Sequence, residues 1–129
     1  MTDKPYRVLV TGSRDWSNAD LIRHHLTRAW LTVEGPFTVV HGACPTGADW
    51  MASDWVANML EADMGDVREE AHAANWQLEG KRAGFIRNAR MVNLGADVCL
   101  AFIRNGSRGA SHTARLAEEA GIPTRRWTA

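Results

Sequence analysis

The chain has 129 residues, the length of a single domain, and its 15 Lys plus Arg balance 15 Asp plus Glu to a formal net charge of zero. That balance argues against general duplex binding, which is normally carried by a basic surface, and leaves room only for a local basic pocket. Two cysteines make no disulfide framework, no stretch approaches the roughly 20 apolar residues of a membrane span, and the N-terminus lacks a signal-peptide plan, so a soluble, cytoplasmic protein is expected.

In chain order, Tyr6 to Thr11 is a β-branched run that stops at Gly12. After Asn18, Leu21, Ile22, Leu26, Ala29, Trp30 and Val33 share one helical face, which Glu34–Pro36 breaks. Phe37 to His41 predicts a second strand, ending at Gly42. The clearest helical face follows: Ala48, Met51, Ala52, Trp55, Val56, Met59 and Leu60. Asp66 to His72 is a weak strand signal, and Lys81 to Leu94 predicts a helix closing at Gly95. Asp97 to Phe102 predicts a buried strand containing Cys99, and Ala110 to Ala120 a helix with Gly121 as its cap and Pro123 beyond. A last short strand is expected in the stretch TRRW, ending at Trp127. Strands alternating with helices at this pitch predict an α/β domain over residues 1–129: a parallel sheet of about five strands with helices on both faces.

Ligands of such sheets sit beyond the C-terminal strand ends, where the strand order reverses. Three glycine-bearing polar loops follow strands here and enter helices: Gly12-Ser13-Arg14, the stretch from His41 to Asp49 with Gly42 and Gly47, and Asn105 to Thr113. Each glycine has an alternative use in an ordinary turn or helix entry. Their conjunction favours an anion site, because helix N-termini present free N–H groups, glycine admits close approach and arginine binds phosphate in a bidentate way. The candidate ligand-binding residues are Gly12, Ser13, Arg14, His41, Gly42, Gly47, Asp49, Gly106, Ser107, Gly109, Ala110 and Ser111. The stretch from Trp76 to Met91 adds Lys81, Arg87 and Asn88, the last two suited to an anion together with a base or ribose edge. Neither G-x-G-x-x-G after the first strand nor G-x-x-x-x-G-K-[ST] is present, so the chain carries neither the common dinucleotide fingerprint nor a P-loop. The five histidines do not assemble a metal-ligand pattern, and no metal or cofactor is expected.

The stretches TGSRDW, HGACPTGAD, ANWQLEGKRAGFIRNARM, ADVCLAF and GSRGASHTARLAEEAGIP together resemble the YspA/YpsA-related branch of the SLOG superfamily, over nearly the whole chain. The superfamily includes lonely-guy-type phosphoribohydrolases, DNA-processing proteins and proposed sensors of nucleotide-derived ligands. The resemblance implies a Rossmann-like fold, a nucleotide-like ligand on the strand-end loops and a homodimer. Arg87 to Met91 matches the phosphoribohydrolases' Arg-x-x-x-Met helix motif. Their Gly-Gly-x-Gly-Thr-x-x-Glu loop reads Gly106 to Thr113, with Thr113 at the position of the catalytic glutamate. Threonine supplies no carboxylate, so base release is put in question.

Three functions follow as expectations. The first is binding of a nucleotide or nucleotide derivative by a sensor or sequestering domain. The second is a nucleotide-processing hydrolase with Asp49 and Arg87 as candidate catalytic residues. The third is single-stranded nucleic-acid binding, with exposed Trp16 or Trp76 stacking bases; the zero net charge counts against it.

Overall fold

A computed structural model describes residues 4–129. The strands are β1 (Tyr6–Gly12), β2 (Phe37–His41), β3 (Val67–Ala71), β4 (Val98–Ile103) and β5 (Thr124–Thr128). The helices are α1 (Ala19–Leu31), α2 (Gly47–Glu61), the one-turn α3 (Trp76–Glu79), α4 (Ala83–Asn93) and α5 (Arg108–Glu119), with a 3-10 turn (Gly80–Arg82) between α3 and α4. All strands are parallel, in the order β3-β2-β1-β4-β5. This is a Rossmann-like α/β domain. Among the described residues, no helix is long and apolar enough to cross a membrane.

The period-two alternation of β1 sorts the two layers. Val8 and Val10 face one side and pack with Ile22 and Leu26 of α1, Ala52, Trp55 and Val56 of α2, and Phe37 and Phe102. Leu9 faces the other side, with Met91 and Val92 of α4, Ala117 of α5 and Cys99. Burial pushes the Cys99 thiol up to about 12, so it serves as a small apolar side chain.

The sequence-predicted faces need two corrections. Ala48, Ala52, Trp55 and Val56 are buried as expected, and Met51 and Met59 pack at the core's edge, but Leu60 is exposed. Ala57, Asn58 and Glu61 around it are exposed too, so Leu60 falls on the solvent side of the last turn, away from Met59. Trp16 is buried against Phe102, with its Nε1–H donating to the Asn18 carbonyl at 3.0 Å, and is not available to stack a base.

Candidate functional site

The strand order places the switch point between β1 and β4. The loops that leave these two strands are tied together there. The Ser13 N–H donates to the Phe102 carbonyl at 2.9 Å. The Ser13 hydroxyl accepts from the Arg104 N–H at 2.7 Å and donates to the Arg104 carbonyl at 3.3 Å. Arg104 returns the link through Nη1, which donates to the Asp15 carbonyl at 3.0 Å. The second loop joins through Gly47. It has a φ of +69°, and a Cβ on it would come 2.2 Å from the Ser13 carbonyl oxygen. Its neighbour Ala48 donates its N–H to that oxygen at 3.3 Å.

These three loops, with α3 and the start of α4, enclose a cavity of about 790 Å³, within the usual range for small-molecule sites. Of the sequence-predicted residues, Gly12, Arg14, Gly42, Asp49, Lys81, Arg87, Asn88, Ser107, Gly109 and Ala110 line it. The other five do not line it. Ser13 is turned to Arg104 as described. His41 is buried, accepting the Ala43 N–H on Nδ1 at 3.0 Å, which leaves Nε2 to donate to Glu69 at 2.6 Å. Gly47 supports the Ser13 turn. Gly106 has a φ of +62° and shapes the turn after β4. Ser111 donates its N–H to Ser107 as the first backbone bond of α5.

Arg87 is more constrained than its sequence position suggests. Its Nε donates to Asn88 Oδ1 at 2.8 Å, and its Nη1 donates to the carbonyls of Gly42 and, at 3.4 Å, His72. Asn88 passes the contact on, donating to the Gly109 carbonyl at 3.4 Å. Arg87 therefore braces the ends of β2 and β3 against α4 and α5, leaving Nη2 as its remaining donor group. Burial pulls its guanidinium below the usual arginine range; Asp49 opposes that shift and Arg14 adds to it. Burial raises the Asp49 carboxyl, while the N–H groups of Cys44 and Gly42 and the guanidinium of Arg87 work in the other direction.

Thr113 is fully buried, and its hydroxyl donates to the Gly109 carbonyl at 3.2 Å. It satisfies the backbone of its own helix and does not line the cavity.

Several lining residues escaped the sequence reading. Arg104, Asn105, Cys44, Thr46 and Phe85 all do so. Arg104 had a readable signal: like Arg14, it is an arginine just beyond an apolar strand end. Phe85 had none, since an aromatic in an amphipathic helix reads as core.

A family model described as "YspA, cpYpsA-related SLOG family" matches residues 6–78, more than half of the chain. The Gene 61 protein of Mycobacterium phage D29 is 42% identical over 117 residues, covering 91% of this chain and 92% of that protein. No solved structure matches significantly. The family match spans β1 to α3, and the phage relative extends the likeness across most of the rest; the chain belongs to the YspA, cpYpsA-related SLOG family.

Proposed function

We propose that the cavity binds a phosphate-bearing, nucleotide-derived small molecule, with its anion at the start of α5 between Arg14 and Arg104, and that binding rather than glycosidic cleavage is the activity. Family membership supports a nucleotide-related ligand. One observation carries the position of the anion. The first N–H groups of α5 have no acceptor within the helix, and the Ser107 side chain does not cap them. Gly109, in that turn, lines the cavity, yet a Cβ on it would meet no atom within 4 Å. No protein contact demands a glycine there, whereas a closely approaching phosphate does. Arg14 and Arg87 also repel one another across the same cavity, an arrangement that an anion relieves.

The test compares AMP, adenosine and ribose 5-phosphate by calorimetry. Arg14→Ala weakens AMP by about 1.5–3 kcal/mol, the range for charge-assisted hydrogen bonds, and adenosine much less. Gly109→Ala lowers AMP affinity while the fold gains up to about 1 kcal/mol from the better helix former. Equal losses for AMP and adenosine, or unchanged AMP binding by both variants, would falsify the anion position.

One observation favours a nucleotide-processing hydrolase as a second reading. Asp49 brings to the cavity a carboxyl that burial raises, as suits a general acid. Release of base from AMP at about 1 s⁻¹ or faster, abolished by Asp49→Asn, would establish it.

A further inference from the structure

The polar side of the cavity is matched by an apolar wall. Trp76, the first residue of α3, is 51% exposed, and Phe85 in the first turn of α4 is 46% exposed; both line the cavity. Among the chain's ten aromatic rings, Trp50 is also half exposed but lies outside the cavity, and four are treated differently. Trp16, Phe37, Trp55 and Phe102 are buried. Two half-exposed rings on one concave wall need a reason, since apolar surface left in water is unfavourable.

Both rings are held in place. The Trp76 indole lies against the bare α-carbon of Gly84: a Cβ there would sit 3.4 Å from Cη2. Asn75 fixes the start of α3 by accepting the Leu78 N–H on its side chain at 3.0 Å. Phe85 meets the His112 ring edge-on, with centroids 4.8 Å apart and planes at 89°. The remainder of this wall is Met91, Ala73 and Ala74. A convex apolar patch would suit a protein partner. This one is recessed and continuous with Arg14 and Lys81, which suits a ligand that is apolar and planar at one end and anionic at the other.

We infer that the wall formed by Trp76 and Phe85 is the seat of a nucleobase, so that the ligand class is a nucleotide that keeps its base rather than a sugar phosphate. This rests on the phosphate reading above for the other end of the ligand. Stacking uses the π-face that every base possesses, so the wall distinguishes base from no base more strongly than one base from another. Trp76 is a specificity residue in this scheme and takes no part in any bond-making.

The experiment measures AMP, adenosine and ribose 5-phosphate binding to the native protein, Trp76→Ala and Trp76→Phe. Trp76→Ala is expected to weaken AMP and adenosine about 5- to 100-fold, the range for loss of one base stack, and to leave ribose 5-phosphate unchanged. Trp76→Phe restores most of the loss, and Phe85→Ala gives a second, smaller loss for the same two ligands. Native protein that binds ribose 5-phosphate as tightly as AMP overturns the base seat and leaves the phosphate site standing. Equal weakening of all three ligands by Trp76→Ala also overturns it. Adenosine that binds through Trp76 while neither phosphate compound exceeds it upholds the seat and removes the phosphate site. Absence of binding by all three removes both. An oligonucleotide that binds more tightly than AMP, with steep salt dependence, overturns the small-molecule assignment.

Discussion

At the scale of single residues, Arg14 and Arg87 look alike in sequence and differ in the fold. The Arg14 guanidinium lines the cavity, whereas two of the three nitrogens of Arg87 already donate to the protein. Arg87→Ala is expected to cost about 1.5–3 kcal/mol of stability, because it strips a charged donor from buried carbonyls, and to weaken AMP and adenosine alike. Urea midpoints with calorimetry on the same preparation separate this from the phosphate-selective loss at Arg14. Arg87→Ala with native stability and a loss confined to AMP would reassign Arg87 to the ligand. The sequence placed both arginines near the site because each is close to a strand end or beside a polar partner. It did not reveal that Ser13 and His41 turn inward. A polar residue at a strand end can serve the ligand or the next loop, and only the packing of the Arg104 backbone against Ser13, and of Glu69 against His41, decides which.

At the scale of elements, one glycine sets how closely α2 approaches the sheet. A Cβ on Gly12 would lie 2.2 Å from Ala48 Cβ and 2.8 Å from the Phe102 carbonyl oxygen. Both neighbours are fixed to backbone, so α2 or β4 has to move. Gly12→Ala should destabilise by about 1–3 kcal/mol or more, and adding Ala48→Gly should recover only part of it, because the clash with Phe102 persists. A double-mutant cycle on thermal or urea unfolding checks this; strict additivity would mean that the two Cβ atoms do not compete. The strands and long helices were legible because their apolar periods are strong. The helix predicted over Lys81 to Leu94 is divided, with a 3-10 turn through Arg82 and α4 starting at Ala83, while α5 begins two residues before Ala110. The one-turn α3 was missed. Four residues are too few for a hydrophobic period, and its markers are only Asn75 as cap and Gly80 at a φ of +63°.

At the scale of the whole molecule, Arg7 spans the sheet from β1 to β3. Its guanidinium forms a bidentate pair with Glu70 at 2.8 Å for both bonds, and its Nε donates to the Gly95 carbonyl at 2.9 Å. His72 Nε2 lies 2.7 Å from the same Glu70 carboxylate. The hydrogen bond from Arg7, helped by His72 and opposed by burial, holds the Glu70 carboxyl at about 2. In the unfolded chain it would titrate near ~4.3. The folded value is the lower one, so the stabilisation is present above the unfolded value and is lost as pH falls towards about 2. Glu70→Gln should lower the urea midpoint at pH 7 and flatten its fall between about pH 5 and pH 2. Parallel pH profiles for native protein and variant would show that the pair contributes nothing to folding.

The strand order leaves β3 and β5 at the two margins of the sheet. Each margin is a row of backbone donors and acceptors open to a strand from another molecule. β3 carries Arg68, Glu69 and Glu70 in succession, and β5 carries Arg125 and Arg126. These charges are why Asp66 to His72 read as a weak strand. They also make the margins poor templates for edge-to-edge growth, so the feature that blurred the sequence signal protects the folded chain against self-association through its sheet.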